Sequence, residues 1–279
     1  MIIDFHTHIF PKRLIERRNS LINKEPAFGL IYQSKDSRLS SLDELIEYMD
    51  RHEIDISVIC SFPWETEENY RIHNDYILDS YSRYPKRLIP MCSFSAYSKD
   101  ATKEAERCLS NGAKGLGELG FYLSDIGDRE IDSLSEIMNI LKEHNVPCII
   151  HINEPIGHRY PGKAPLTLNG IFRLAHSFKE NTLIFAHWGG GIFFYLLLKR
   201  EVKDLFKNIY FDTAASPYLY DPRIYRVACE IVGEDKILFG SDFPLLTYER
   251  YLKEMRDSGI DNGAFQKIVY KNAKRLLGI

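Results

Sequence analysis

The chain has little cysteine, and what it has is badly placed for cross-linking. Its five thiols, Cys60, Cys92, Cys108, Cys148 and Cys229, are odd in number and scattered, and no Cys-x-x-Cys occurs. That argues against a disulfide framework and a structural zinc knuckle, and the thiols read as reduced, in a cytoplasmic protein. Long apolar runs are also missing: the longest, Ile192 to Leu198, falls far short of the ~20 residues that span a bilayer. The first apolar stretch begins almost at Met1, which leaves no room for an export leader, so a soluble protein with no membrane partner is expected. Neither sign of charge prevails: Lys+Arg number 36 against Asp+Glu 39, a net of -3, so no global basic field invites nucleic acid.

What is present suits one folded domain. Hydrophobic residues make up 44% and charged residues 27%, ordinary globular values. The length of 279 lies close to the roughly 250 residues of a (β/α)8 barrel. Ile2 to His8 reads as a first strand, followed by a long polar loop at about 10–40, a candidate lid. Ser41, with Glu44 three residues on, resembles a capping box opening the helix Leu42 to Met49. Further apolar runs then alternate with helical periods. Strands are predicted at Ile56 to Ser61, Arg87 to Phe94, Gly112 to Gly120, Pro147 to His151, Leu183 to His187, Ile209 to Asp212 and Ile237 to Asp242. Helices are predicted at Asn69 to Tyr84, Ala101 to Ser110, Ile131 to His144, Leu168 to Phe178 and Pro222 to Val232, with another opened by Gly189-Gly190-Gly191 and two more at the C-terminus. Eight short strands joined by helical crossovers imply an α/β (β/α)8 barrel of the TIM type over residues 1–279.

The residues able to do chemistry gather at strand ends. His6 and His8 are two apart in the first strand and project together, which makes half a metal site. Glu118 lies at strand four, His151 closes strand five, His187 closes strand six and Asp242 closes strand eight. Each alone is more often a hydrogen-bonded structural residue or a turn. Together they ring the carboxyl face on which barrel active sites are built, and that conjunction predicts a metal centre. Nitrogen and carboxylate donors without thiolate suit zinc, the default, with manganese, iron or nickel as alternatives.

At these residues the sequence resembles the amidohydrolase superfamily, within it the amidohydrolase-related branch that includes aminocarboxymuconate-semialdehyde decarboxylase. Asp4-Phe5-His6-Thr7-His8 looks like that family's strand-one motif, Ile150-His151 its strand-five ligand, Ala186-His187-Trp188-Gly189-Gly190 its strand-six histidine and Phe239-Gly240-Ser241-Asp242-Phe243-Pro244 its strand-eight motif. The resemblance implies a distorted barrel with His6, His8, His151 and Asp242 around one divalent metal and His187 beside its water. Gly117-Glu118-Leu119-Gly120 departs from this branch. It looks like the TatD-type branch, where a strand-four Glu binds metal and can bridge two, so a second metal stays open. Lys114 lies at the wrong end of strand four to bridge metals.

These residues lead to a metal-dependent hydrolase or non-oxidative decarboxylase acting on a small, carboxylated substrate through a metal-activated water. Asp242 would exchange the proton and His187 would stabilise developing negative charge. Arg159 and Lys163, in the loop after strand five, are candidates for a substrate carboxylate, the plain alternative being a solvated basic turn. Trp188 either lines the pocket or packs, Glu154 either orients a ligand or caps a loop, and Asp212 is a supporting residue by location alone. The alternatives are a TatD-like nuclease, against which the acidic balance stands, and a non-catalytic ligand-binding barrel. A small molecule is the expected partner, nucleic acid is not, and a homodimer stays open.

Overall fold

The protein is described here from a computed structural model, which covers residues 1–198 and 202–279. The described residues form eight parallel strands: β1 (Ile3–His8), β2 (Ile56–Cys60), β3 (Leu88–Met91), β4 (Leu116–Leu119), β5 (Cys148–Ile150), β6 (Leu183–Phe185), β7 (Ile209–Asp212) and β8 (Ile237–Leu238). They form two ladders, β1-β2-β3 and β4-β5-β6-β7-β8. The ladders meet at two seams, each marked by one parallel bridge, Cys92 to Leu116 and Thr7 to Phe243. Backbone bonds cross both seams, from Gly117 N to Cys92 O at 2.8 Å and from Asp242 N to His6 O at 2.9 Å, so the strands close into a ring.

The strands are buried on both faces, as parallel strands under helices must be. Alternate residues Ile3 and Phe5, Val58 and Cys60, and Ile89 and Met91 fill the interior of the ring with Ile149, Ile184 and Leu238. Residues of the other parity pack outward against the helices. Pro90 is tolerated in β3 because that strand ends its ladder and is free of a neighbour needing its missing N–H; its carbonyl still accepts from Lys114 N.

The helices are α1 (Lys12–Glu16), α2 (Arg18–Lys24), α3 (Pro26–Tyr32), α4 (Leu42–Arg51), α5 (Glu67–Arg83), α6 (Ala101–Ser110), α7 (Asp128–Glu143), α8 (Leu168–Ser177), α9 (Val202–Leu205), α10 (Ser216–Leu219), α11 (Ile224–Val232), α12 (Tyr248–Asp257), α13 (Asn262–Gln266) and α14 (Asn272–Leu277). Ser41 and Glu44 make the reciprocal capping box at α4. No described helix is long and apolar enough to cross a membrane.

Two segments differ from the sequence expectation. The stretch at about 10–40 is not one long loop but carries α1, α2 and α3, which bury Leu14, Leu21, Phe28 and Tyr32. Each helix is too short to display a period, and Pro26 restarts the chain at the head of α3. Glu25 ties this segment to the barrel by accepting from Glu65 N, Thr66 N and the Asn69 amide at the head of α5. Gly189-Gly190-Gly191 does not open an α-helix either. Residues 187–191 all take left-handed φ, from 54° to 83°, in a tight 3-10 coil that runs to Leu197. A β-carbon at Gly190 would lie 2.4 Å from Asn153 O, so only glycine permits both the conformation and the approach.

Candidate functional site

Three of the site residues reach the mouth of the barrel through irregular backbone. By strict alternation His6 and Glu118 would share parity with outward or seam-facing neighbours. The pairing register slips between Asp4 and Thr7 in β1 and between Leu116 and Leu119 in β4, and the slips turn both side chains to the mouth. Asp242 stands beyond the end of β8 with a φ of 56°. His6, His8, Glu118 and His187 are buried.

The donor atoms converge. His6 Nε2 lies 3.0 Å from His8 Nε2. Glu118 carboxylate oxygens lie 3.8 Å from each, and Asp242 Oδ1 lies 3.7 and 3.6 Å away. On its other side Glu118 Oε1 is 3.0 Å from His151 Nδ1 and 3.5 Å from His187 Nε2. Two three-residue donor groups, His6, His8, Glu118 and Glu118, His151, His187, therefore share one carboxylate.

Partners behind the rings set which nitrogen faces inward. His6 Nδ1 donates to Asp212 Oδ2 at 2.8 Å, and Asp212 Oδ1 also accepts from the His187 and Ala214 backbone amides. His187 Nδ1 donates to the Ala214 carbonyl at 3.1 Å. A neutral imidazole bonded in this way presents its Nε2 lone pair to the site, the arrangement that second-sphere partners give metal-ligating histidines.

The electrostatics suit a cation. Burial acts to lower the pKa of His6, yet Asp212, Glu118 and Asp242 outweigh it and raise the imidazole to about 10. His187 is raised against burial to about 9, by its contact with Glu118 and by Asp242. His8 goes down, through burial and the neighbouring His6. Burial works to raise Glu118, but His151 and His6 hold it well below the usual carboxylate range. Among the described residues no Lys or Arg pairs with Glu118, Asp212 or Asp242, while His8 Nδ1 and His151 Nε2 are buried without a partner. A carboxylate-rich cluster of imidazoles that no lysine or arginine neutralises fits a divalent metal bound by nitrogen and oxygen.

The cluster floors a cavity of about 570 Å³, in the range of small-molecule sites. Tyr32, Phe62, Tyr122, Tyr160 and Tyr218 line it, and Arg38 is its one lining Lys or Arg among the described residues. Tyr122 donates to Glu118 Oε2 at 3.2 Å and its ring lies 4.5 Å from that of His151.

The substrate-side candidates fall differently. Arg159 is exposed and is not among the lining residues. Lys163 turns into its own loop, donating to Glu154 Oε1 and to the Ile156 and His158 carbonyls. Glu154 also accepts from Tyr160, so it braces the cavity wall. Trp188 is fully buried, donates to Ser216 Oγ and packs on Tyr225, away from the cavity. Tyr32, Arg38, Phe62, Tyr122 and Tyr218 reach the cavity unannounced, the first two from a segment whose helices the sequence concealed. Only Tyr122 carried a signal, its place four residues past Glu118.

The amidohydrolase family model matches residues 3–279. No curated protein sequence matches the chain. Among solved structures, it is similar to 5-carboxyvanillate decarboxylase from Sphingomonas paucimobilis, with a TM-score of 0.80, 15% identity and coverage of 100% and 99% of the two chains. The 2,6-dihydroxybenzoate decarboxylase from Rhizobium has a TM-score of 0.73 at 18% identity, covering 99% and 98%. A 5-carboxyvanillate decarboxylase from Novosphingobium aromaticivorans, complexed with manganese and 4-hydroxy-3-methoxy-5-nitrobenzoic acid, has a TM-score of 0.79 at 16% identity, covering 100% and 96%. At these identities the likeness carries the barrel fold.

Proposed function

The chain belongs to the amidohydrolase family, and on that premise we propose that it is a metal-dependent enzyme that removes the carboxyl group of a small aromatic acid without oxidation. The observation that carries this reading is the cavity itself, with aromatic walls, one arginine at its rim and a nitrogen and carboxylate cluster at its floor. Zinc and manganese both suit that donor set, and His6, His8, His151, Glu118 and Asp242 are the residues to hold the ion. When bound, such a cation supplies Lewis acidity and neutralises the buried carboxylates.

The chain's own residues do the rest. Phe62 and Tyr122, stacked with ring centroids 6.0 Å apart, offer a flat apolar wall to an aromatic ring. Arg38 offers a charge-assisted bond to an anionic substituent. Asp242, on the open side of the cluster, relays a proton from solvent to the ring carbon as the bond from that carbon to the carboxyl carbon breaks, so that carbon dioxide leaves and the ring keeps the bonding pair as C–H. His187 offers its Nε2 side to a substrate oxygen and Asp212 holds it there through the backbone. Hydrolysis is the second reading, favoured by the same Asp242, a carboxylate equally placed to take a proton from water.

Purified protein loaded with Mn2+ or Zn2+ and offered hydroxylated benzoates should release carbon dioxide, and Asp242→Asn should abolish the release. Turnover of lactones, esters or amides, with none of the acids, would replace decarboxylation by hydrolysis.

A further inference from the structure

Glu118 and Asp242 both stand where the two ladders of the ring meet. Glu118 lies at the seam between β3 and β4, Asp242 at the seam between β8 and β1, and ladder pairing at each seam shrinks to a single bridge. Irregular backbone at these points leaves groups that no strand satisfies, and buried side chains satisfy them.

At the β8/β1 seam, Asp4 is fully buried in the first strand. Its Oδ1 accepts from Ser241 N at 2.9 Å and its Oδ2 accepts from Ser241 Oγ at 2.5 Å. Thr213 Oγ1 accepts from Gly240 N on the other side. The residue before Asp242 is thus clasped from β1, while Asp242 N itself reaches His6 O. At the β3/β4 seam, Ser93 Oγ donates to the Glu118 carbonyl at 2.7 Å. Asn74, fully buried on α5, fixes Ser93 by accepting from its backbone N at 3.0 Å and from Ser61 Oγ at 2.7 Å. The Asn74 amide then donates to buried Glu104, which Arg107 grips with two bonds.

We infer that Asp4 and Asn74 are positioning residues, two clasps that hold the seams so that Asp242 and Glu118 meet the histidines at ligand distance. Neither touches the cavity. The metal arm of this inference rests on the metal-centre reading above; the clasps themselves rest on the hydrogen bonds alone.

The test compares Mn2+ affinity, measured by equilibrium dialysis, in wild type, Asp4→Asn, Asn74→Ala and Leu141→Ala, the last a buried apolar α7 residue that takes part in none of these hydrogen bonds. Loss of a supporting partner should weaken Mn2+ about 10- to 100-fold in the first two variants. Leu141→Ala should lower the thermal midpoint and leave the affinity unchanged. Equal weakening in all three, or affinities of the seam variants within about twofold of wild type, overturns the inference. Ser241→Ala keeps the backbone bond to Asp4 while removing the hydroxyl that donates to Asp4 and accepts from Phe243 N, and it serves if Asp4→Asn does not fold; it should weaken Mn2+ to a smaller degree. Amide hydrogen exchange of metal-free protein is the second readout. Exchange should rise more than about tenfold at Ser241 and Asp242 in Asp4→Asn and at Ser93 in Asn74→Ala, and not in Leu141→Ala. If wild type takes up neither Mn2+ nor Zn2+, the metal reading falls, and exchange alone decides: faster at the named amides sustains the clasps, unchanged removes them.

Discussion

Arg38 and Arg159 carry the same charge and lie in the connections after β1 and β5, but only Arg38 lines the cavity. Among the described residues no carboxylate lies within salt-bridge distance of Arg38, so its charge is available to a ligand. Arg38→Ala is therefore expected to raise KM for an anionic substrate about tenfold or more relative to a neutral analogue, while Arg159→Ala leaves both near wild type. Equal effects of the two substitutions in steady-state kinetics would remove Arg38 from substrate binding. The Glu118 carboxylate serves both donor groups, so one ion or two could be held there. The expectation is one ion per chain, lost in His6→Ala and retained in His187→Ala, with His187→Ala losing turnover in kcat. Elemental analysis at saturating metal decides it. Two ions in wild type falling to one in His187→Ala would make Glu118 a bridge.

Among the elements, α5 does more than cover the sheet. It carries Asn74 toward the β3/β4 seam, and one residue earlier it carries His73, fully buried. His73 Nε2 donates to the Ile9 carbonyl just past β1, and its Nδ1 accepts from Phe62 N and from Trp64 Nε1. The neutral ring thus staples the exits of β1 and β2, where His8 and Phe62 face the cavity. Burial pushes the imidazole down from 6.5 to about 3. Above pH 6.5 both folded and unfolded states hold a neutral ring, and the contribution to stability is complete. As pH falls below 6.5 the unfolded chain takes the proton first, so stability is lost progressively down to about pH 3. Urea unfolding at pH 7 and pH 5 should show wild type losing about 2 kcal/mol more than His73→Gln over that interval. The same loss in both proteins would remove this histidine as the cause.

For the molecule as a whole, charge and cavity shape bear on the class of substrate. A nuclease must neutralise phosphates, and its binding then weakens steeply with salt. Here the net charge is -3, the cluster at the cavity floor is rich in carboxylate, and a single arginine stands among the lining residues. No DNA or RNA cleavage is expected at physiological salt with Mn2+ present. Metal-dependent exonuclease activity, measured on labelled oligonucleotides and lost in Asp242→Asn, would reverse that expectation.

The barrel and its metal-type donors were legible in the amino-acid order because both depend on local pattern. Short apolar runs spaced by helical periods announce parallel strands whatever their neighbours. Histidine or a carboxylate at a strand's end announces chemistry because the carboxyl face is where side chains from distant strands converge. His6, His8, Glu118, His151, His187 and Asp242 were named on that ground, and the structure brings all six to one place. What tertiary structure decided is which loop faces the cavity, and how the irregular backbone is held. Lys163 points back into its own loop because three acceptors there outbid solvent, and Trp188 sinks into the core because residues 187–191 coil left-handed. Tyr32 and Arg38 reach the cavity on a segment whose turns are too short to show a period. Asp4 and Asn74 close seams between strands that no spacing in the sequence marks, since a hydrogen bond over 237 residues is fixed only once the ring has closed.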